Sequence, residues 1–327
     1  VTLDLRKFFT REAIVSSLAS LPELQSPVMD LMYPPSARIA HPFPVIGYQD
    51  LGLPQGNIPV VRRGAASYAL RPAAGGIDII EPQPVNPSIF IDAAMMNNLA
   101  MLQPAGQQQL VNNKIDVLRR ACRMTAEALA AQSVTGKIEY PMSTEGPGFL
   151  DYTVDWGTPD TVTIADKWDG QNITIAKIIA GIGLIMGKMK KNGYGSQIEF
   201  WVGLDVFAAL IEEIGGLNNS ALAIFGPDSI TLAGGLKFRL MPASYTDLAT
   251  GSAVSTIPAK YVVAIDLAAG HKLFYAALDD LDANLQALPF FAKPIKTDDP
   301  SGYKIIGASK PLPVPNVRAI VKASVLT

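Results

Sequence analysis

The sequence predicts an α+β fold in which a long helix supports an N-terminal arm, a projecting β-ribbon and a compact α/β unit. Three observations carry that expectation. Residues 107–133 hold the longest uninterrupted helical pattern, and prolines and paired glycines divide the chain before it into arm and ribbon. After it, apolar strand-like runs alternate with two amphipathic helical patterns.

The helical pattern QQQLVNNKIDVLRRACRMTAEALAAQS places Val111, Ile115, Leu118, Cys122, Ala126 and Leu129 at steps of three and four. These residues share one stripe, while Asn112, Asp116, Arg119, Arg123 and Glu127 lie elsewhere around the helix. At about 1.5 Å per residue the rod is about 39 Å long, more than a compact domain of this size needs for its own core. It is therefore read as a spine, with one buried face.

Residues 1–44 start as a short amphipathic piece with Phe8 and Phe9 beside charged neighbours. Prolines at 22, 27, 34, 35, 42 and 44 then favour an extended arm with turns, which must lie on its own body or on a neighbour. Residues 45–87 change to strand patterns at 58–63, 67–71 and 77–81, with Pro and paired Gly supplying a reversal at 72–76. Legs of ten residues reach about 33 Å. A two-stranded ribbon of that length is marginal in water and calls for a partner surface, the alternative being a hairpin folded back on its own domain.

Asp92 is a candidate cap for a short helix, AAMMNNLAML, which Pro104 and Gly106 separate from the spine; Met95, Met96 and Met101 are read as adaptable packing. Strands are expected at 134–142, 149–157 and 161–166. A helix over 173–193 ends in Lys188, Lys190 and Lys191 with Gly193 as its stop. A strand at 197–203, a helix at 204–216, a strand pair at 230–242 and a strand at 260–267 complete an α/β unit of about a hundred residues. Residues 271–324 read as strands with Pro-rich joints, the last being NVRAIVKAS.

The 327 residues suffice for two domains or one with extensions. They are 49% hydrophobic and only 17% charged, against about 25% in ordinary soluble proteins. So little charge implies that part of the surface is covered by other subunits. A net charge of -2 and a pI near 5.8 argue against nucleic-acid binding by charge. The single Cys122 allows no intrachain disulfide and fits a small core residue in a reducing compartment. Asp4, Arg6, Lys7, Arg11 and Glu12 leave no secretory apolar core at the start, and the apolar window 173–186 is too short for a membrane span.

No catalytic constellation stands out. GIGLIMGKM has five residues between Gly181 and Gly187 and Met189 at the hydroxyl position, so it departs from a phosphate-binding loop; small residues for helix packing explain it better. His41 and His271 cannot build a multi-histidine metal site, and there is no Gly-x-Ser-x-Gly elbow. The pairs Asp279/Asp280, Glu212/Glu213 and Asp298/Asp299 point apart on any regular element and read as solvated faces and caps. No catalytic residue, cofactor or metal is expected.

Arm, ribbon, spine, α/β unit and returning strands, in that order, resemble the major capsid protein of tailed phages, the lambda-type E family with the Hong Kong 97-like fold. The segments that carry the resemblance are RKFFTREA, VNP at 85–87, the spine running into VTGKIEY, FWVGLDVFAALIEEI and KPLPVPNVRAIVKAS. The resemblance implies an arm over 1–44, an extended loop over 45–92 that overlaps a neighbour, and a peripheral domain over 93–169. It further implies an axial domain over 170–285 and returning peripheral strands over 286–327. Inter-subunit contacts are expected at Phe8, Phe9, Arg62, Arg63, Tyr68, Arg71, Asp78 and Glu81. The implied function is a self-assembling subunit of pentamers and hexamers in an icosahedral head around double-stranded DNA, made in the host cytoplasm and housed in the virion. Scaffolding, portal and cement or decoration proteins are further candidate partners, packaged DNA is touched without sequence preference, and no membrane is involved. The alternatives are an encapsulin-like cargo shell and, from another class, an α/β small-molecule-binding enzyme.

Overall fold

The structure, a computed structural model, describes residues 5–10, 13–14, 18, 21–22, 24–47, 51, 79–144, 148–170, 173–215, 223–232, 234–241, 244–246 and 251–327. In chain order the helices are α1 (Pro27–Met32), α2 (Ala93–Ala100), α3 (Pro104–Ser133), α4 (Ile175–Lys191) and α5 (Leu204–Gly215). The strands are β1 (Arg38–His41), β2 (Ile46–Gly47), β3 (Ile79–Ile80), β4 (Ser88–Asp92), β5 (Lys137–Ser143), β6 (Phe149–Asp155), β7 (Asp160–Thr163), β8 (Ile198–Val202), β9 (Ala223–Phe225) and β10 (Ser229–Leu232). They continue with β11 (Leu236–Leu240), β12 (Ser244–Thr246), β13 (Ala253–Ser255), β14 (Tyr261–Asp266), β15 (Lys272–Ala276), β16 (Phe291–Asp298), β17 (Ser301–Ala308), β18 (Pro311–Val314) and β19 (Ile320–Ser324).

The spine pattern folds as α3, and all six residues of its expected apolar stripe are buried. The helix starts earlier than the pattern suggested, at Pro104, because proline at the first helical position gives up only an N–H that has no intrahelical partner. Thirty residues make it about 45 Å long. Its buried residues are shared among three separate cores. Val111, Ile115 and Leu118 pack with Leu5, Ile91 and Ile305 beside the sheet β16-β17-β4. Leu129 packs with Ile138, Trp156, Phe274 and Leu312 beside the sheet β1-β15-β18. Ala126, Ala130 and Ala131 pack with Trp201, Val263 and Ile265 of the largest sheet.

That largest sheet has the order β7-β19-β14-β8-β11-β10-β9 and is mixed: β8 runs parallel to β11 and antiparallel to β14. The two-residue period of the strands assigns its faces. Phe200, Val202, Val262, Ala264, Val321 and Ala323 join the core under α4 and α5, whereas Trp201, Val263, Ile265 and Ile320 face α1 and the end of α3. Helices thus cover both faces. The C-terminal NVRAIVKAS run supplies β19, which lies inside this sheet between β7 and β14. It pairs with strands of the α/β unit rather than with β16 or β17, because alternation lets it serve both cores.

Local chemistry explains most boundaries. The Asp92 carboxylate accepts a hydrogen bond from the Met95 N–H at 2.7 Å and caps α2 as expected. Gly193 stops α4 at φ 86°, a left-handed conformation that costs glycine little. Prolines 311 and 313 sit in β18, an edge strand, where a missing N–H is tolerated. Against the expectation of an extended arm, residues 27–32 form helix α1, with Pro27 at its first turn. The expected ribbon strands 58–63 and 67–71 and the reversal 72–76 lie outside the described residues.

Candidate functional site

Several of the side chains that could support chemistry are engaged structurally. Burial pushes the Cys122 thiol up to about 12, so it is protonated and inert at neutral pH. His271 is buried; Asn316 donates its N–H to Nδ1 at 3.0 Å and Nε2 faces the Asp266 carbonyl at 3.1 Å. The acidic pairs are split: Asp279 pairs with Lys310 at 2.8 Å and Asp280 with Lys293 at 2.7 Å. Asp298 closes β16 beside Asp299, and Glu212 and Glu213 lie on α5. Gly181 lies near Trp168 and Ile164 at distances that would admit a Cβ, and Gly183 and Gly187 face open space, so close packing does not account for the glycines of this helix, contrary to expectation. Among the described residues no group of three or more His, Cys, Asp or Glu side chains could hold a metal ion. No described helix is long and apolar enough to cross a membrane.

The most elaborate polar cluster joins the arm to the spine. Glu127 on α3 accepts the Val28 and Met29 N–H groups at 2.8 and 2.9 Å. It therefore caps the start of α1 from a distant part of the chain. Burial raises the Glu127 carboxyl above its ordinary value, opposed by these two hydrogen bonds. Asp30 takes Arg123 at 2.5 Å and Arg38 at 2.7 Å, and Arg123 Nε donates to Ser26 Oγ at 2.6 Å. Tyr33 is buried and its hydroxyl meets Ser133 Oγ at 2.7 Å; Ser133 in turn donates to the Ala130 carbonyl. The segment 24–47 is thus held on its own subunit. This cluster was not read from the sequence: Arg123 and Glu127 look like a solvated helix face until α1 is laid over them.

Large apolar side chains are exposed on several described elements. Phe43, Ile79, Phe149 and Leu150 are exposed around the small sheets, Val117 and Met124 on the spine, and Ile179, Leu184, Leu204 and Ile211 on α4 and α5. An isolated subunit with so many large exposed apolar side chains offers several faces for association. Of the residues expected to contact a neighbour, Phe8 and Phe9 lie half-buried in a short 3₁₀ turn, Leu5–Phe9, against the core that holds Ile91 and Ile115. Glu81 is exposed, directly after β3. Arg62, Arg63, Tyr68, Arg71 and Asp78 lie outside the described residues.

The subunit thus combines a spine shared by three cores with several uncovered apolar faces. Its fold resembles the crystal structure of a candidate capsid protein of a prophage (E. coli CFT073), with a TM-score of 0.68, 18% identity, and coverage of 96% of this chain and 98% of that one. Weaker likenesses reach a phage-related protein from Bordetella bronchiseptica RB50 (TM-score 0.46, 11% identity, 97% of both chains). Another is the satellite phage P4 procapsid with its size determination protein (TM-score 0.44, 10% identity, 97% of both chains). No curated protein sequence matches this chain. The model of the phage major capsid protein E family matches residues 10–325, and the chain belongs to that family.

Proposed function

We propose that this phage major capsid protein assembles with copies of itself into the pentamers and hexamers of an icosahedral head that encloses double-stranded DNA, without enzymatic activity. The observation that carries the reading is the distribution of exposed apolar residues over several faces of a chain of this family. Each face alone gives a modest contact, and many such contacts add through multivalency into a closed shell. The arm 1–44, the loop 45–92, peripheral units over 93–169 and 286–327, and an axial unit over 170–285 are the division of labour that fits a Hong Kong 97-like shell. Phe8, Phe9, Arg62, Arg63, Tyr68, Arg71, Asp78 and Glu81 are the proposed contacts of its arm and loop. The assembled protein resides in the virion after synthesis in the host cytoplasm, with scaffolding, portal and cement proteins as further partners. Negative-stain micrographs of the purified chain are expected to show rings or shells. A chain that sediments as a 34.9 kDa monomer, and is also absent from particles when the other head proteins are coexpressed, overturns the reading.

A further inference from the structure

Helices α4 and α5 lie on the same face of the largest sheet and bury one side each in a common core. Their outer sides are apolar as well. On α4, Ile179 is 46% and Leu184 57% exposed; on α5, Leu204 is 63% and Ile211 44% exposed. The charges of the two helices are opposite and unmixed: α4 carries Lys177, Lys188, Lys190 and Lys191 with no acid, and α5 carries Asp205, Glu212 and Glu213 with no base.

The subunit's own electrostatics account for only part of this pattern. Lys177 pairs with Asp166 and Lys188 with Asp160, while Lys190 and Lys191 suit the C-terminal end of their helix dipole. Glu212 and Glu213 stand close to the C-terminus of α5, where the dipole is negative, with no basic residue in that turn. Among the described residues no ion pair neutralises them. Carboxylates placed against their own helix dipole and next to exposed Leu and Ile are complementary to a positive, apolar-flanked surface from outside the subunit. The outer side of α4 has that composition, with Ile179 and Leu184 leading along the helix to Lys190 and Lys191.

We infer that the outer face of α4 on one copy of this chain docks against the outer face of α5 on a neighbouring copy. The contact deepens the assembly proposed above and rests on it. Its apolar residues supply burial, and the lysines set against the glutamates supply register and exclude α4–α4 and α5–α5 pairings. An acidic membrane would suit α4 alone, but the carboxylates of α5 on the same face repel it.

Three variants of the full chain test the contact: Lys190→Glu/Lys191→Glu, Glu212→Lys/Glu213→Lys, and the combination of all four. Thermal melting checks that each is folded, and the neutral Lys190→Gln/Lys191→Gln chain replaces a reversal that melts early. Sedimentation and negative-stain microscopy at low salt read the assembled fraction. Each reversal alone is expected to lower it about tenfold, and the combination to restore it to within about threefold of the wild type. Reversals that assemble like the wild type, or a folded combination as defective as its parents, overturn the contact. If the wild type itself forms no particle, alone or with the other head proteins, the capsid reading falls and this contact with it; an assembling wild type with indifferent variants removes the contact only.

Discussion

Both ring nitrogens of His271 are used in the neutral form, Nε2 donating to the Asp266 carbonyl and Nδ1 accepting from Asn316. Burial lowers its pKa from 6.5 to about 4, against the pull of the neighbouring Asp266 carbonyl and carboxylate. The unfolded chain therefore binds a proton before the folded one does, and stability is complete above pH 6.5 and declines as pH falls towards 4. The interval corresponds to about 3 kcal/mol. The Asp266 carboxylate loses solvation on burial, yet the N–H groups of Gly195, Ser196, Gln197 and Ala268 hold it below its ordinary 3.8, so it titrates beneath this window. Urea unfolding at pH 7 and 4.5 is expected to show this loss in the wild type and a flatter profile in His271→Gln. Lys310 makes a second test at this scale, since its ammonium is buried and meets one Asp279 oxygen at 2.8 Å. Asp279→Ala leaves that charge unpaired and is expected to cost about 1–3 kcal/mol. Lys310→Met removes the need for the partner and should be the milder change in thermal melts.

At the scale of elements, α3 decides the arrangement of the rest. Its stripe from Val111 to Leu129 was legible because helix periodicity concerns one segment and its own burial. Ile115 is fully buried, so Ile115→Ala should lower unfolding free energy by about 2–5 kcal/mol. The polar side of the same helix was not legible. Glu127 is a cap for α1, and pairing between residues a hundred positions apart leaves no periodic trace in the sequence. Glu127→Ala strips two N–H groups of their acceptor and should cost about 1–3 kcal/mol. Limited proteolysis is expected to cut near residues 24–33 earlier in that variant than in Ile115→Ala at matched stability.

At the scale of the molecule, low charge content anticipated a surface that other subunits cover, and the structure puts exposed apolar side chains on the spine, the small sheets and the α4–α5 layer. The extended loop is proposed to reach a neighbour. Deleting residues 57–81 is accordingly expected to leave a folded body, by circular dichroism, that forms no shells in micrographs; shells from that deletion would remove the loop from the mechanism of assembly.

Residue order by itself determined what depends on short-range periodicity and backbone chemistry: the spine and its stripe, the Asp92 cap, the Gly193 stop and the alternation of strands and helices after residue 160. Cys122 as a core residue also followed from its place on that stripe. Only the tertiary structure decided which partners those elements took. It put β19 between β7 and β14, turned 27–32 into a helix seated on Glu127, and divided one helix face among three cores. The physical reason is that a buried stripe states how much must be covered and on which side, while what covers it depends on how the rest of the chain returns.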